Sequence, residues 1–256
     1  MKNSISVILA SPPEYIGEAA KTGLATAVMA YRIGRGFHLY RTDLPQKQGG
    51  DYMVIDDLGF YDNGQPRALA SEIVRECIMR SYRGVILNTR ESLIKIMLPL
   101  AGALADMAEA NSLTLWLPPY MASKNNARIL IGTALSGGTL VRHFADAGDS
   151  FGTHRLTLDI ERIRSDFTLP SPTGAGINLS EDELSSIINK YRPATFFSKD
   201  LCTSYFSYRN GGETHFVLYD SALSIRNKLE IAAKSGIKSA FLYYPEVREI
   251  LKDIIG

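Results

Sequence analysis

Short apolar runs alternate with helical stretches along most of this chain, and that alternation narrows the folds open to it. The runs are SISVILA (4–10), DYMVIDD (51–57), RGVILNT (83–89), SLTLWLP (112–118), RILIGTAL (128–135), RLTLDIERI (155–163) and SAFLYY (239–244). Strands apolar on both faces belong to parallel sheets covered by helices, and strand alternating with helix is the pattern of such a sheet or barrel. From Glu14 to Arg32 small and apolar residues recur at helical spacing, with Gly34 and Gly36 as stop signals. Pro66 opens a helix running to about Tyr82. After the 83–89 run a long apolar helix is expected, capped by Ser92 and kinked at Pro99. Further helices fall at 139–147, from Ser180 with Glu183 completing a capping box, and from Ser221 to Lys234. Turns are expected at Asp62-Asn63-Gly64 and Asn210-Gly211-Gly212, and a polar loop around 46–50. FHLYRT (37–42) lies too close to DYMVIDD for a helix between them. The pattern is that of an α/β parallel sheet or barrel with one shortened βα unit near the N-terminus, and the length suits a TIM (β/α)8-type barrel. Residues 1–256 form one domain, with a hairpin-containing insertion at about 164–220.

At 256 residues the chain has the usual length of one such barrel. A net charge of +1 gives no electrostatic reason for a nucleic-acid partner. Two cysteines, Cys77 and Cys202, lie far apart and suggest neither a metal site nor a disulfide framework, and the histidines lack metal-ligand spacing. No cofactor is expected. The N-terminal apolar run is too short for a signal peptide, and no stretch approaches the ~18 apolar residues of a membrane span. The expected location is the cytoplasm.

Tyr82–Glu91, YRGVILNTRE, resembles the strand of the family 18 glycoside hydrolases (chitinase-like barrels) that carries D-G-[LIV]-[DN]-[LIV]-[DN]-x-E. The chain places Arg83, Gly84, Val85, Ile86, Leu87, Asn88, Thr89 and Arg90 on that pattern. The glycine, the apolar positions and one amide are kept, whereas the acids are absent and Arg90 stands at the proton donor's place. The C-terminal part resembles the spore-type, peptidoglycan-directed branch. Tyr205, Phe206, Tyr208, His215, Val217, Asp220, Ser224, Ile225, Lys228 and Gly236 match its pattern, and Tyr243 stands where the branch has a tryptophan under the sugar. DFTLP (166–170) resembles its aromatic loop. The family's M-x-Y-[DE] strand end falls on Gly132, Thr133, Ala134 and Leu135, without its tyrosine or acid. The first 60 residues carry almost none of the resemblance.

In that family a protonated carboxyl group donates to the leaving oxygen, and the substrate's acetamido oxygen is the nucleophile. An arginine cannot surrender its proton at ordinary pH, so Arg90 cannot serve as the acid. Strand periodicity reverses the side chain at Glu91. The resemblance thus implies a barrel without the family's catalytic residues, which binds an N-acetylated glycan, a peptidoglycan fragment or a protein partner. An association with the forespore or spore is also implied.

Candidate ligand-binding residues are Asn88 and Arg90 at a strand's C-terminal end, where barrel sites lie, together with Tyr205 and Tyr243. Arg90 could instead fill the pocket and pair with an acid, and Tyr243 could be a core residue. Asp159, Glu161 and Asp57 are the fallback carboxylates for a glycosidase with relocated acids. Against that stand a buried pairing of Asp159 or Glu161 with Arg155 or Arg162, and a loop-capping role for Asp56 and Asp57. Trp116 and His215 read as structural. A third reading is a structural interaction protein with a filled pocket.

Overall fold

The structure, a computed structural model, describes residues 5–42, 44, 50–58, 64–122, 126–135, 137–171 and 174–256. The chain runs β1 (Ser6–Ser11), α1 (Ile16–Ala20), β2 (Ala25–Gly34), β3 (His38–Arg41), β4 (Tyr52–Asp56) and α2 (Pro66–Arg80). There follow β5 (Gly84–Asn88), α3 (Ile94–Ala110), β6 (Thr114–Leu117), β7 (Arg128–Gly132), α4 (Leu140–Phe151) and β8 (Leu156–Ile160). Next come β9 (Arg164–Leu169), β10 (Ile177–Asn178), α5 (Glu181–Tyr191), β11 (Phe196–Ser198), β12 (Thr203–Asn210) and β13 (Glu213–Tyr219). The chain closes with α6 (Ala222–Lys234), β14 (Ser239–Tyr243), α7 (Tyr244–Val247) and α8 (Leu251–Ile255).

Eight strands lie parallel in the order β1-β14-β8-β7-β6-β5-β4-β2, and pairing of β1 with β2 closes the ring. This is the expected (β/α)8 barrel, the closed one of the two arrangements that the alternating pattern allows. Alternate residues on each strand divide between inside and outside. Val85 and Leu87 pack outward with Ile73, Leu100 and Leu104 of α2 and α3. Ile86 points inward with Ile8, Val54, Trp116, Leu130 and Phe241. Trp116 plugs the barrel, 2% exposed, edge-on to Tyr52 and Phe241. Its indole Nε1 donates to Thr157 Oγ1 at 3.1 Å, and that hydroxyl lies 2.8 Å from Ser239 Oγ. The one polar atom of the plug is thereby satisfied at the barrel's centre. Gly84 is dictated by close approach: a Cβ there would stand 2.2 Å from the Thr114 carbonyl oxygen of β6.

Two local expectations are corrected. Residues 14–32 are not one helix; α1 has five residues and 25–34 are a barrel strand. The small residues of ATAVMAYRIG match a helical period, yet Thr26, Val28, Tyr31 and Ile33 are strand formers, and tertiary pairing on both edges decides the matter. Ser92 does not cap α3: it lies within a 3-10 turn at Glu91–Leu93, and the N-cap position falls on Leu93 without a side-chain bond.

The shortened unit lies between β2 and β4, where no helix occurs among the described residues. There β3 folds back antiparallel on β2, and α2 holds it: Glu72 accepts from the Leu39 N–H at 3.0 Å and Glu76 from Arg41 Nη1 at 2.7 Å. The expected loop at 46–49 and turn at 62–63 lie outside the described residues.

Between β8 and β14 the chain builds a second sheet, ordered β10-β9-β13-β12-β11 and antiparallel throughout. Helix α5, started by the Ser180–Glu183 capping box, covers one face through Leu184, Ile187 and Ile188 on Phe206 and Val217. Asp220 ties this sheet to the barrel. Its fully buried carboxylate accepts from Lys228 Nζ of α6 at 2.5 Å, from the Ile163 N–H at 3.2 Å and from Thr203 Oγ1 at 3.3 Å. Among the described residues no helix is long and apolar enough to cross a membrane.

Candidate functional site

Side chains at the C-terminal ends of parallel barrel strands converge on one mouth. Here they enclose a cavity of about 360 Å3. Met29, Val54, Ile86, Leu130 and Phe241 form its apolar floor above Trp116, and Asn88, Asp159, Glu161, Arg162, Tyr243 and Glu246 form its polar rim. A larger cleft of about 910 Å3 opens beside it, between the rim after β7 and β8 and the second sheet, walled by Ser165, Phe167 and Leu218. Glu161, Arg162 and Glu246 line both spaces, so the two meet there.

The charged groups are unevenly matched. Arg162 donates to the Asp220 carbonyl at 3.2 Å, the Glu246 carbonyl at 2.9 Å and Glu181 at 3.0 Å. Glu246 accepts from Arg164. Asp159 has no ion-pair partner among the described residues; burial first, and the Glu161 charge second, push its pKa up to about 6. Arg162 lines the cavity beside Asp159 and Glu161 but forms its ion pair with Glu181. Arg155 donates to the Ala127 carbonyl at 2.8 Å.

Of the four candidate ligand residues, Asn88 and Tyr243 stand on the cavity rim. Arg90 and Tyr205 line neither space. The Arg90 Nε lies 3.2 Å from both Asp57 carboxylate oxygens, and its N–H donates to Asp57 Oδ2 at 3.0 Å. Strand β5 ends at Asn88, so the two-residue period that would aim Arg90 into the mouth no longer applies. Asp57, only 3% exposed, is occupied by that arginine, while Asp56 accepts from the Leu58 N–H at 3.0 Å. Tyr205 belongs to the second sheet, stacked on Phe196 with centroids 5.5 Å apart.

His215 lies on the α5 face of that sheet, stacked on Tyr208, with Nδ1 3.1 Å from Asp166. Tyr208 donates to the same carboxylate at 2.7 Å. Among the described residues no group of three or more His, Cys, Asp or Glu is arranged to hold a metal ion.

Met29, Phe241 and Glu246 were not singled out from the sequence, and Arg162 was named only as a partner for Asp159 or Glu161. Strand parity from Ala27 and Val28 would have placed Met29 inward, had 25–34 been read as a strand, although the register shift between Val28 and Tyr31 breaks that parity further on. Phe241 was legible as the inward residue of SAFLYY. Nothing local marks Arg162 or Glu246, whose positions depend on how the second sheet sits on the rim.

An eight-stranded parallel barrel with an antiparallel sheet inserted between its last two strands defines the class: the fold is that of the family 18 chitinases. Among solved structures it is similar to the spore cortex-lytic enzyme SleL of Bacillus megaterium, with TM-score 0.69, 12% identity, and coverage of 100% of this chain and 76% of that one. It is similar too to a chitinase of Chromobacterium violaceum, with TM-score 0.71, 12% identity and coverage of 94% of each chain. A chitinase of Cycas revoluta in complex with (GlcNAc)4 matches with TM-score 0.64, 13% identity and coverage of 97% of each chain. At these identities the likeness speaks to the fold. No protein-family model and no curated protein sequence matches the chain.

Proposed function

We propose that this chain is a carbohydrate-binding barrel that holds one ring of an amino-sugar polymer in its mouth cavity and does not cleave it by the family's acid catalysis. The observation that carries this reading is the open cavity itself. An apolar floor with an aromatic residue, Phe241, and a ring of polar groups above it suit the two sides of a pyranose, and about 360 Å3 is in the range of small-ligand sites. The neighbouring cleft offers room for a polymer to continue past the rim. Arg90, at the place of the family's proton donor, is paired with Asp57 and cannot act as an acid. The likeness to a chitinase holding (GlcNAc)4 and to a spore cortex-lytic enzyme supports an N-acetylglucosamine-containing ligand, including peptidoglycan, and a spore setting.

The test is calorimetric titration with N-acetylglucosamine oligomers and muropeptides, alongside a search for new reducing ends. Saturable binding without cleavage is expected, and Tyr243→Ala should weaken it about tenfold. Absence of binding to every amino-sugar oligomer, acetylated or not, removes the proposal. A second reading, hydrolysis through Asp159 and Glu161, is favoured by the Asp159 carboxyl, which burial holds partly protonated near pH 6 as an acid catalyst requires. New reducing ends that disappear with Asp159→Asn would put that reading in place of the first.

A further inference from the structure

The mouth cavity is lined by more negative charge than its own residues neutralise. The Arg162 guanidinium is 2.7 Å from Glu181, so its charge is matched outside the cavity, and Glu246 is matched by Arg164. What remains is Asp159 and Glu161, two residues apart on one side of the same strand and its extension, neither in an ion pair among the described residues. There is room to reach them. The β7 residue in register with Asp159 is Gly132, where a Cβ would meet no atom within 4 Å. A group carried by a ligand can come up to the Asp159 carboxylate from that side while the ring lies over Phe241, Ile86 and Met29.

We propose that the sugar ring held in this cavity carries a free amine, whose ammonium sits against the Asp159 and Glu161 carboxylates, so that the ligand class is a de-N-acetylated glucosamine polymer. This rests on the carbohydrate reading of the same cavity. An acetamide is neutral and offers one N–H, whereas an ammonium offers three donors and supplies the missing positive charge. Hydrogen bonds between ionised partners are about twice as strong as neutral ones. The ammonium also relieves the repulsion between the two acids.

The groups facing Asp159 are Glu161 and Arg162 beyond β8, Asn88 of β5, Tyr243 of β14 and Glu246 of α7. Arg162 and Glu246 are already paired, and Asn88 does not titrate. The pKa of Tyr243 is raised by burial, away from the physiological range. Asp159, pushed up to about 6, is thus the acid whose protonation removes a ligand contact as the solution is acidified.

The test is titration of the full chain with the glucosamine tetramer, the N-acetylglucosamine tetramer and tetralysine, at about pH 6.8, where both the sugar amine and Asp159 are mostly charged, and at about pH 4.5. The glucosamine tetramer should bind about tenfold tighter than its acetylated counterpart at the higher pH, and the preference should shrink at the lower. Asp159→Asn, which keeps the side chain's shape, should abolish the preference, read as the ratio of the two tetramers' affinities. Equal or tighter binding of the acetylated tetramer overturns the proposal and leaves the carbohydrate reading standing. Equal binding of tetralysine overturns it too, since charge alone would then suffice. Failure of both sugars to bind removes both readings.

Discussion

The Asp159 carboxyl shares its cavity with Ile86, Leu130 and Phe241, and burial there favours its protonated form. Its folded pKa of about 6 lies above the ~3.9 of an unfolded chain. The stability this group contributes is therefore fully present below pH ~4 and is lost as the pH rises through about 6. At neutral pH the ionised form costs on the order of 2 kcal/mol. Asp159→Asn should accordingly raise the unfolding free energy by ~2 kcal/mol near pH 7.5 and by nothing near pH 4. Denaturant titrations at the two pH values check this, and equal stability of parent and variant at pH 7.5 would show that the carboxyl carries no such cost. Residues that weaken the fold without an internal partner are the ones expected at a site shaped for something else. Asn88 and Tyr243 could be placed on the mouth from strand parity, because each lies within its strand's regular pairing or at its last residue. Arg90 could not, because the strand ends two residues before it and Asp57 captures its guanidinium.

Among the elements, those with strong local signals were legible and those made by pairing were not. Pro66 leaves the first turn of α2 one N–H fewer to satisfy, and Ser180 with Glu183 satisfies backbone groups at the start of α5, so their chemistry is written locally. Strand β2 is the opposite case: alanine-rich and long, it is a strand because β1 and β4 supply its hydrogen bonds. The turn of β3 back onto β2 likewise depends on Glu72 and Glu76 of α2, about thirty-five residues away. The second sheet could be seen as an insertion, but its attachment depends on Asp220 and Lys228 meeting with no exposure to solvent. Burial alone would raise the Asp220 pKa, and the Lys228 ammonium opposes that shift. Lys228→Met leaves the carboxylate without its cation and should destabilise the chain by about 3–5 kcal/mol. Thermal unfolding would register this as a large drop in Tm; a drop no greater than that of an exposed lysine substitution would show that Asp220 is held by Ile163 and Thr203 alone.

For the molecule as a whole, the question is whether barrel and second sheet fold as one unit. Two independent units would each bury their own core and meet over a polar interface. Here Cys202, which opens the way into β12, is buried in the same apolar cluster as Phe144 of α4, Ile225 of α6 and Leu242 of β14, and Phe197 of β11 packs against that cluster. The Leu140 N–H that starts α4 donates to the Asp200 carbonyl at 2.8 Å, so a barrel helix is satisfied by the insertion's backbone. The barrel thus completes its outer layer with residues from the inserted segment, and the inserted sheet has only a small apolar cluster of its own, around Leu184, Phe206 and Val217. Such a sheet could not hold its shape if the barrel melted first, and the barrel would expose apolar surface if the sheet left. We therefore expect one cooperative transition for the entire chain in calorimetry, with the measured and van't Hoff enthalpies equal. The Lys228→Met variant should shift that transition downward without splitting it, because the shared cluster remains. Two resolved transitions in the parent would instead mark the inserted segment as a separate folding unit placed beside the mouth cavity.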